Sequence, residues 1–545
     1  MKFNEDSRVK IPTILHLMRM GYGYLSLKDP KVRWDESTNI FTDIFHESIK
    51  RINPSISDND AKRLYNEVSL CLENEDLGKA FYGKLTDKSG NRLIDFEDFD
   101  NNSFNVVTEL TYKKDDEEFR PDIILLINGI PLAFIEVKKP NNRDGILAEH
   151  KRIQTRFQNK KFRKFVNITQ LMVFSNNMEY DDSSSQPIEG AFYATASYHK
   201  PSFNYFREKH ECEFDLDAIL SNIDDATETL VLRDNNLLSI KQSPEFAKNK
   251  SPSTPTNRIC TSLLQRERLA FMLEFSLAYV KERNGLQKHI MRYPQIFATK
   301  AIKKKLDEGV KKGIIWHTQG SGKTALAYYN VKYLSNYFQN KKVIAKFYFI
   351  VDRLDLLIQA GKEFKARGMV VHNIESREAF SRDIKKSSAI HNSSGKAEIT
   401  VVNIQKFKDD PDVVKNTDYN LNIQRVFFLD EVHRSYNPKG SFLANLEQTD
   451  QNAIKIGLTG TPLLGDEYNS KSLFGDYIHK YYYNASIKDG YTLRLIREEI
   501  ETNYKLSLQK TLEEIEILKG NADKKQVYAH EKFVEPMLDY IIKDF

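Results

Sequence analysis

Asp122, Glu136 and Lys138 flank an apolar segment in which Ile123–Ile127 and Leu132–Val137 read as strands joined across Asn128-Gly129. Side chains alternate along a strand, so Glu136 and Lys138 share one face while Ile135 and Val137 pack on the other. Two acids on one side can clamp Mg²⁺, and a lysine beside them can orient or activate water for attack on a phosphodiester. The register sets a condition. A two-residue Asn-Gly hairpin opposes Asp122 to Ile135 and sends Glu136 to the wrong face. An odd-length loop or one bulge is needed to bring Glu136 opposite Asp122. Taken alone, E-x-K on a strand is also ordinary surface charge.

Directly afterwards, Lys151 to Lys164 holds Lys151, Arg152, Arg156, Lys160, Lys161, Arg163 and Lys164 without one acid, interleaved with Phe157, Phe162 and Phe165. A basic helix beside such a centre is where duplex phosphates would lie, against the plainer reading of a solvated charged face. A second chemistry stands further on. The strand Gly313–Trp316 runs into His317-Thr318-Gln319-Gly320-Ser321-Gly322-Lys323-Thr324 and then a helical stretch. Glycines let backbone N–H groups close around phosphate oxygens, and the helix N-terminus adds its positive dipole end. Lys323 would reach the β- and γ-phosphates of ATP, and Thr324 would ligate Mg²⁺. His317 stands where the general phosphate-loop pattern has its first glycine. Val426–Leu429 then ends in Asp430-Glu431-Val432-His433, acids at the tip of a strand, which assigns Asp430 to the metal and Glu431 to the attacking water.

With Ile456-Gly-Leu-Thr459-Gly460-Thr461-Pro462, the set resembles motifs I, II and III of superfamily 2 helicases and translocases of the DExH type. The resemblance implies that Thr459, Gly460 and Thr461 couple nucleotide state to nucleic-acid binding. It also implies that Gln295, in Arg292-Tyr-Pro-Gln295-Ile-Phe-Ala298, contacts adenine, and that Thr318, Gly320, Ser321, Gly322 and His433 belong to the nucleotide site. Arg120-Pro-Asp122 with Glu136-Val-Lys138 resembles the PD…ExK arrangement of metal-dependent nucleases. A PD…ExK nuclease N-terminal to a DExH motor resembles the restriction (R, or HsdR) subunit of type I restriction-modification enzymes over nearly the whole chain. That family carries a Gln…Tyr pair on the helix after the nuclease site; here Gln154 is followed by Gln158, and Phe157 stands nearest the tyrosine.

By this resemblance the chain is an ATP-dependent double-stranded DNA translocase and endonuclease, cutting away from the recognition site. It would work with methylation and specificity subunits, S-adenosylmethionine entering only through the methylation partner. A repair or recombination helicase–nuclease shares both chemistries, and a non-catalytic ATP- and DNA-binding assembly module is the reading from another class. No later arginine-rich motor motif follows, so the chain reads as an N-terminal fragment or a truncated subunit in which the second motor lobe is absent.

The elements that must position these residues follow from the rest of the sequence. The chain has 545 residues, 40% hydrophobic and 29% charged, with a net charge of 81 − 76 = +5, too mild to establish nucleic-acid binding by itself. Cys71, Cys212 and Cys260 form no metal spacing, which with the absence of a signal core or of a span of ~20 apolar residues points to a cytoplasmic protein without a membrane segment. Short apolar strands alternating with helices predict α/β: an N-terminal α/β PD-(D/E)xK-type nuclease domain followed by a RecA-like doubly wound parallel-sheet motor lobe. The expected divisions are 1–241 for the nuclease, 242–257 for a Pro/Ser-rich linker, 258–492 for the first motor lobe and 493–545 for a connection toward a second lobe.

Overall fold

Apolar runs resolve into two seven-stranded sheets, each with central strands buried on both faces. The computed structural model describes residues 4–140, 145–179, 191–198, 201–207, 214–374, 376, 379–380, 383, 396–403, 423–431, 450, 452–462, 470–492, 506, 509–510, 512–513 and 531–544. Residues Met1–Thr492 form one unit and Leu493–Phe545 a second, in which Glu531–Asp544 is a helix.

The N-terminal strands are β1 (Gly23–Tyr24), β2 (Phe104–Thr108), β3 (Tyr112–Lys114), β4 (Glu117–Phe119), β5 (Ile123–Ile127), β6 (Ile130–Val137), β7 (Leu171–Ser175), β8 (Ala191–Ala194) and β9 (Asn204–Tyr205). The first sheet runs β1-β2-β5-β6-β7-β8-β9, and β3-β4 forms its own small ribbon. β6 and β7 are parallel, joined by a crossover that contains the helix Gly145–Gln158. β5 and β6 form the hairpin that carries the candidate centre. Asn128 (φ 51°) and Gly129 (φ 76°) make its turn, and a Cβ at Gly129 would lie 2.6 Å from the Phe41 carbonyl. Ile127 pairs with Ile130 and Leu126 with Pro131, but Leu125 pairs with Ala133 and Ile123 with Ile135. Leu132 is therefore a bulge, the extra residue that the two-residue turn demanded.

The second half adds the ribbon β10 (Leu277–Glu282) and β11 (Gly285–Ile290), then β12 (Lys312–His317), β13 (Ile344–Val351), β14 (Val370–Ile374), β15 (Glu398–Asn403), β16 (Ile423–Asp430), β17 (Ile454–Thr459) and β18 (Tyr477–Tyr481). The last seven form a wholly parallel sheet in the order β14-β15-β13-β16-β17-β12-β18. The α/β expectation holds for both halves. Ligands of such sheets gather at the carboxyl ends of the strands, where β12 and β16 deliver their motifs.

Residues 242–257 differ from an open linker. They carry the helix Pro244–Asn249 and begin the helix Pro255–Leu264, with Phe246, Thr256 and Asn257 buried. Pro244 and Pro255 stand at first helical positions, where a missing N–H costs nothing, and Ser243 caps the Phe246 N–H at 3.1 Å. Ser-Pro and Thr-Pro here start helices rather than break the chain. The two halves are also bonded directly. Tyr22 donates to the Leu264 carbonyl (2.8 Å), Tyr193 to that of Met291 (2.6 Å) and Lys288 to Gln170 Oε1 (2.7 Å), while Arg207 pairs with the buried Asp489 at 2.8 Å. No helix among the described residues is long and apolar enough to cross a membrane.

Candidate active sites

The bulged hairpin puts Asp122, Glu136 and Lys138 in one cluster. Asp122 Oδ2 accepts the Val137 N–H at 2.9 Å, which ties the acid before β5 to the end of β6. Lys138 Nζ sits 3.8 Å from Asp122 Oδ2 and 3.8 Å from Glu136 Oε2, and donates to the Val137 carbonyl at 3.0 Å. Two further acids meet it: Glu149 at 3.7 Å, from the helix Gly145–Gln158, and Glu5 at 4.0 Å, just before the first helix. Glu136 is 4% exposed, and burial together with Asp122 and Glu149 raises its carboxyl well above the usual range despite Lys138. Burial raises Glu5 as well. Burial opposes the Lys138 ammonium, but Glu136, Asp122, Glu149 and Glu5 outweigh it and hold the lysine charged. Hard oxygen donors carrying negative charge that their neighbours do not neutralise fit Mg²⁺; Asp122 and Glu136 are the residues that would hold it.

The basic run is less free than its composition suggests. Arg152 meets Glu149 Oε2 at 2.6 Å, and Arg156 lies 3.6 Å from Glu149 Oε1 and stacks over Phe119 at 4.1 Å. Lys160 pairs with Glu75 at 3.8 Å, and Lys161 pairs with Asp116. Phe157, Phe162 and Phe165 are core residues. Gln154 is half-buried and Lys151 exposed, both on the same helix as Glu149. Sequence reasoning missed Glu149 and Glu5. The signal for Glu149 was available, because it lies three and seven residues before Arg152 and Arg156, on one helical face.

At the nucleotide site, β12 runs into a turn with Gly320 (φ 79°) and Gly322 (φ 84°), and the helix Lys323–Asn340 begins there. His317 closes β12 with its φ outside the positive region, so its backbone has no need of the expected glycine, and its Nε2 meets His479 Nδ1 of β18 at 2.7 Å. Thr318 N–H bonds the Tyr481 carbonyl at 3.0 Å. Ser321 is 2% exposed and its hydroxyl has no partner among the described residues, and Thr324 lies half-buried on the helix's first turn. Gln295 donates to the Gly322 carbonyl at 3.0 Å, and Arg292 to that of Gly320 at 3.2 Å. Lys323 Nζ is 3.7 Å from Glu431 Oε1. Burial pushes the Asp430 carboxyl up to about 6 against the pull of Lys323, with Glu431 adding to the rise. A buried acid in that state beside a phosphate cradle again fits a divalent cation. β17 lies between β12 and β16 and pairs Thr459 with Trp316 and Leu458 with Asp430. Thr461 N–H bonds Thr459 Oγ1 at 3.1 Å, and Gly460 accepts from Trp316 Nε1 at 3.1 Å. His433 lies outside the described residues.

Comparison with known proteins bears on both halves. Residues 2–181 match the family model "Type I restriction enzyme R protein N terminus", and residues 294–527 match "SWI2/SNF2 ATPase". The putative type I restriction enzyme MjaIXP endonuclease subunit of Methanocaldococcus jannaschii is 26% identical over 91% of this chain and 46% of its own length. The type I restriction enzyme HindI endonuclease subunit of Haemophilus influenzae is 23% identical over 89% of this chain and 45% of its own. The chain thus spans about half the length of the curated relatives it matches. A solved structure, the ATP-dependent type ISP restriction-modification enzyme LlaBIII bound to DNA, superposes with a TM-score of 0.28 at 14% identity, covering 36% of this chain and 15% of that one, too loosely to carry an inference.

Proposed function

We propose that this chain, which belongs with the R (HsdR) subunits of type I restriction enzymes, is their motor and endonuclease part. In this reading it couples ATP hydrolysis to translocation of double-stranded DNA and cuts the duplex away from the recognition site. The observation that carries the reading is the Leu132 bulge. It sets Glu136 and Lys138 beside Asp122 within the same compact unit that bears the phosphate loop.

In the cleavage centre, Asp122 and Glu136 would hold Mg²⁺, which when bound supplies positive charge for the attacking and departing oxygens of the phosphodiester. Lys138, fixed by the Val137 carbonyl and the surrounding acids, orients the attacking water and meets charge developing on phosphate. Gln154, Lys151, Arg152, Arg156, Lys160 and Lys161 form the side along which duplex phosphates would run. In the motor, Thr318, Gly320, Ser321, Gly322 and Lys323 cradle the phosphates of ATP, Gln295 meets the adenine, and Thr324 with Asp430 would hold the nucleotide's Mg²⁺. Glu431 positions the hydrolytic water. Thr459, Gly460 and Thr461 end the strand between the two motifs and relay nucleotide state toward DNA. Recognition and modification fall to specificity and methylation subunits, the latter using S-adenosylmethionine, in the cytoplasm where DNA is met.

The test is a pair of variants in the assembled enzyme. Asp122→Asn should keep DNA-stimulated ATP hydrolysis and lose cleavage, whereas Lys323→Ala should lose both. Cleavage by the Asp122 variant at the normal rate refutes the nuclease assignment.

A further inference from the structure

Lys138 occupies an unusual position. Its ammonium lies 3.7 to 4.0 Å from four separate carboxylates and in direct contact with none of them, its hydrogen bond going instead to the Val137 carbonyl. A buried lysine beside only Asp122 and Glu136 would move onto them, because a contact ion pair in a poorly hydrated site far outweighs one held near 4 Å. There it would occupy the place a divalent cation needs. Something draws it back. Glu149 is 1% exposed and reaches the ammonium from the crossover helix, not from the hairpin that carries the other two acids. Neither of its oxygens receives an aligned hydrogen bond from the described residues, although Arg152 lies 2.6 Å from one and Arg156 3.6 Å from the other. Arg152 in contact and Lys138 further off share its Oε2, while Arg156 lies nearest Oε1.

We propose that Glu149 is a positioning residue of the cleavage centre: it holds the Lys138 ammonium away from Asp122 and Glu136, which keeps those two acids open to the divalent cation. The inference rests on the nuclease reading above and adds to it a residue that acts through Lys138. The formal charges agree with this role. With every group ionised, as a bound cation would favour, Asp122, Glu136, Glu149 and Glu5 against Lys138, Arg152 and Arg156 sum to −4 + 3 = −1, which a divalent cation turns to +1, matched to one phosphodiester. Without Glu149 the cluster sums to zero, and its lysine neutralises the very acids that the cation requires.

The experiment is Mn²⁺ binding to the nucleotide-free full chain, followed by electron paramagnetic resonance of the free ion. Asp122→Asn serves to isolate this site from any other. Glu149→Gln, which keeps shape and removes charge, should weaken Mn²⁺ binding about tenfold, the lower end of what residues behind a metal's ligands contribute. Glu149→Asp should recover most of the loss. The deciding variant is Glu149→Gln combined with Lys138→Met. Removing the competing ammonium should return Mn²⁺ affinity to at least the wild-type value. If the double variant stays as weak as Glu149→Gln alone, Glu149 is itself a ligand or a structural prop, and the proposal is wrong. It is equally wrong if Glu149→Gln binds Mn²⁺ normally while Asp122→Asn does not. Normal binding by Asp122→Asn overturns the nuclease reading as well, so the two failures are told apart.

Discussion

Asn128→Ala should destabilise the N-terminal half by about 3–4 kcal/mol. Asn128 is fully buried at φ 51°, and its side chain makes four hydrogen bonds, the longest accepted from Ser103 Oγ at 3.4 Å. Its Oδ1 accepts the Ser103 N–H at 2.8 Å, and its Nδ2 donates to the Leu93 carbonyl at 2.9 Å and to Asn102 Oδ1 at 2.8 Å. Asn102 Oδ1 keeps the Asp95 N–H at 2.9 Å, so truncation strands two backbone groups, the Ser103 N–H and the Leu93 carbonyl. A buried group left unpaired costs about 1–3 kcal/mol, giving about 3 for the two with some relief from water. Alanine in the left-handed region adds about 1 kcal/mol, whereas glycine there adds none. Asn128→Gly should therefore lose about 1 kcal/mol less than Asn128→Ala, which separates the backbone contribution from the hydrogen bonds. Urea denaturation of both variants, followed by near-ultraviolet circular dichroism, reads the difference. Stability within 1 kcal/mol of wild type for both variants would falsify the view that this side chain pins the hairpin carrying the catalytic register.

Lys323→Ala should abolish DNA-stimulated ATP hydrolysis in the assembled enzyme while Mn²⁺ binding at the cleavage centre persists; unchanged hydrolysis would mean that the phosphate loop is misassigned. Phe246→Ala should cost about 3–5 kcal/mol, since the side chain is fully buried, and should open residues 242–257 to limited proteolysis; equally ready cleavage of the two proteins there would restore the picture of an open linker. Burial lowers the Lys288 ammonium to about 7 at the junction of β11 with the N-terminal half. The unfolded chain then binds this proton more tightly than the folded one, so stability rises with pH from about 7 toward the ordinary lysine value of about 10.4. This group contributes no slope below that window, and about 2 kcal/mol between pH 7 and 9. Lys288→Met should flatten that rise relative to wild type in urea melts at each pH, and an identical slope in the two proteins would count against the buried ammonium.

The parallel sheet of the motor lobe was legible because β13, β15, β16 and β17 are near-continuous apolar runs, as strands covered on both faces must be. β18 escaped notice because Tyr477-Ile-His-Lys-Tyr481 sits at the sheet's edge and mixes polar with aromatic residues. The β10–β11 ribbon was hidden for a related reason: β11 mixes polar with apolar residues, and Lys288 looks like a surface residue until Gln170 is brought to it. Around Asp122 and Glu136, alternation and turn chemistry called for an odd-length loop or a bulge without saying which, and the bulge at Leu132 supplies the extra residue. Glu149 could be read from its spacing to Arg152 and Arg156, whereas Glu5 reaches the centre from a distance along the sequence that no local pattern encodes. The prolines of residues 242–257 misled because their role depends on the residue before them: after a capping Ser or Thr they begin a helix.

The central claim is that Asp122 and Glu136 together clamp a divalent cation with Lys138 beside it. Anomalous diffraction from crystals of the chain grown with Mn²⁺ tests it most directly. The account predicts one peak bridging the two carboxylates at ordinary oxygen–metal distances of about 2.0–2.4 Å, with the Lys138 ammonium outside the coordination shell. Full occupancy of Mn²⁺ elsewhere in the N-terminal half, with Lys138 in contact with Asp122 and Glu136 and no peak between them, would contradict it.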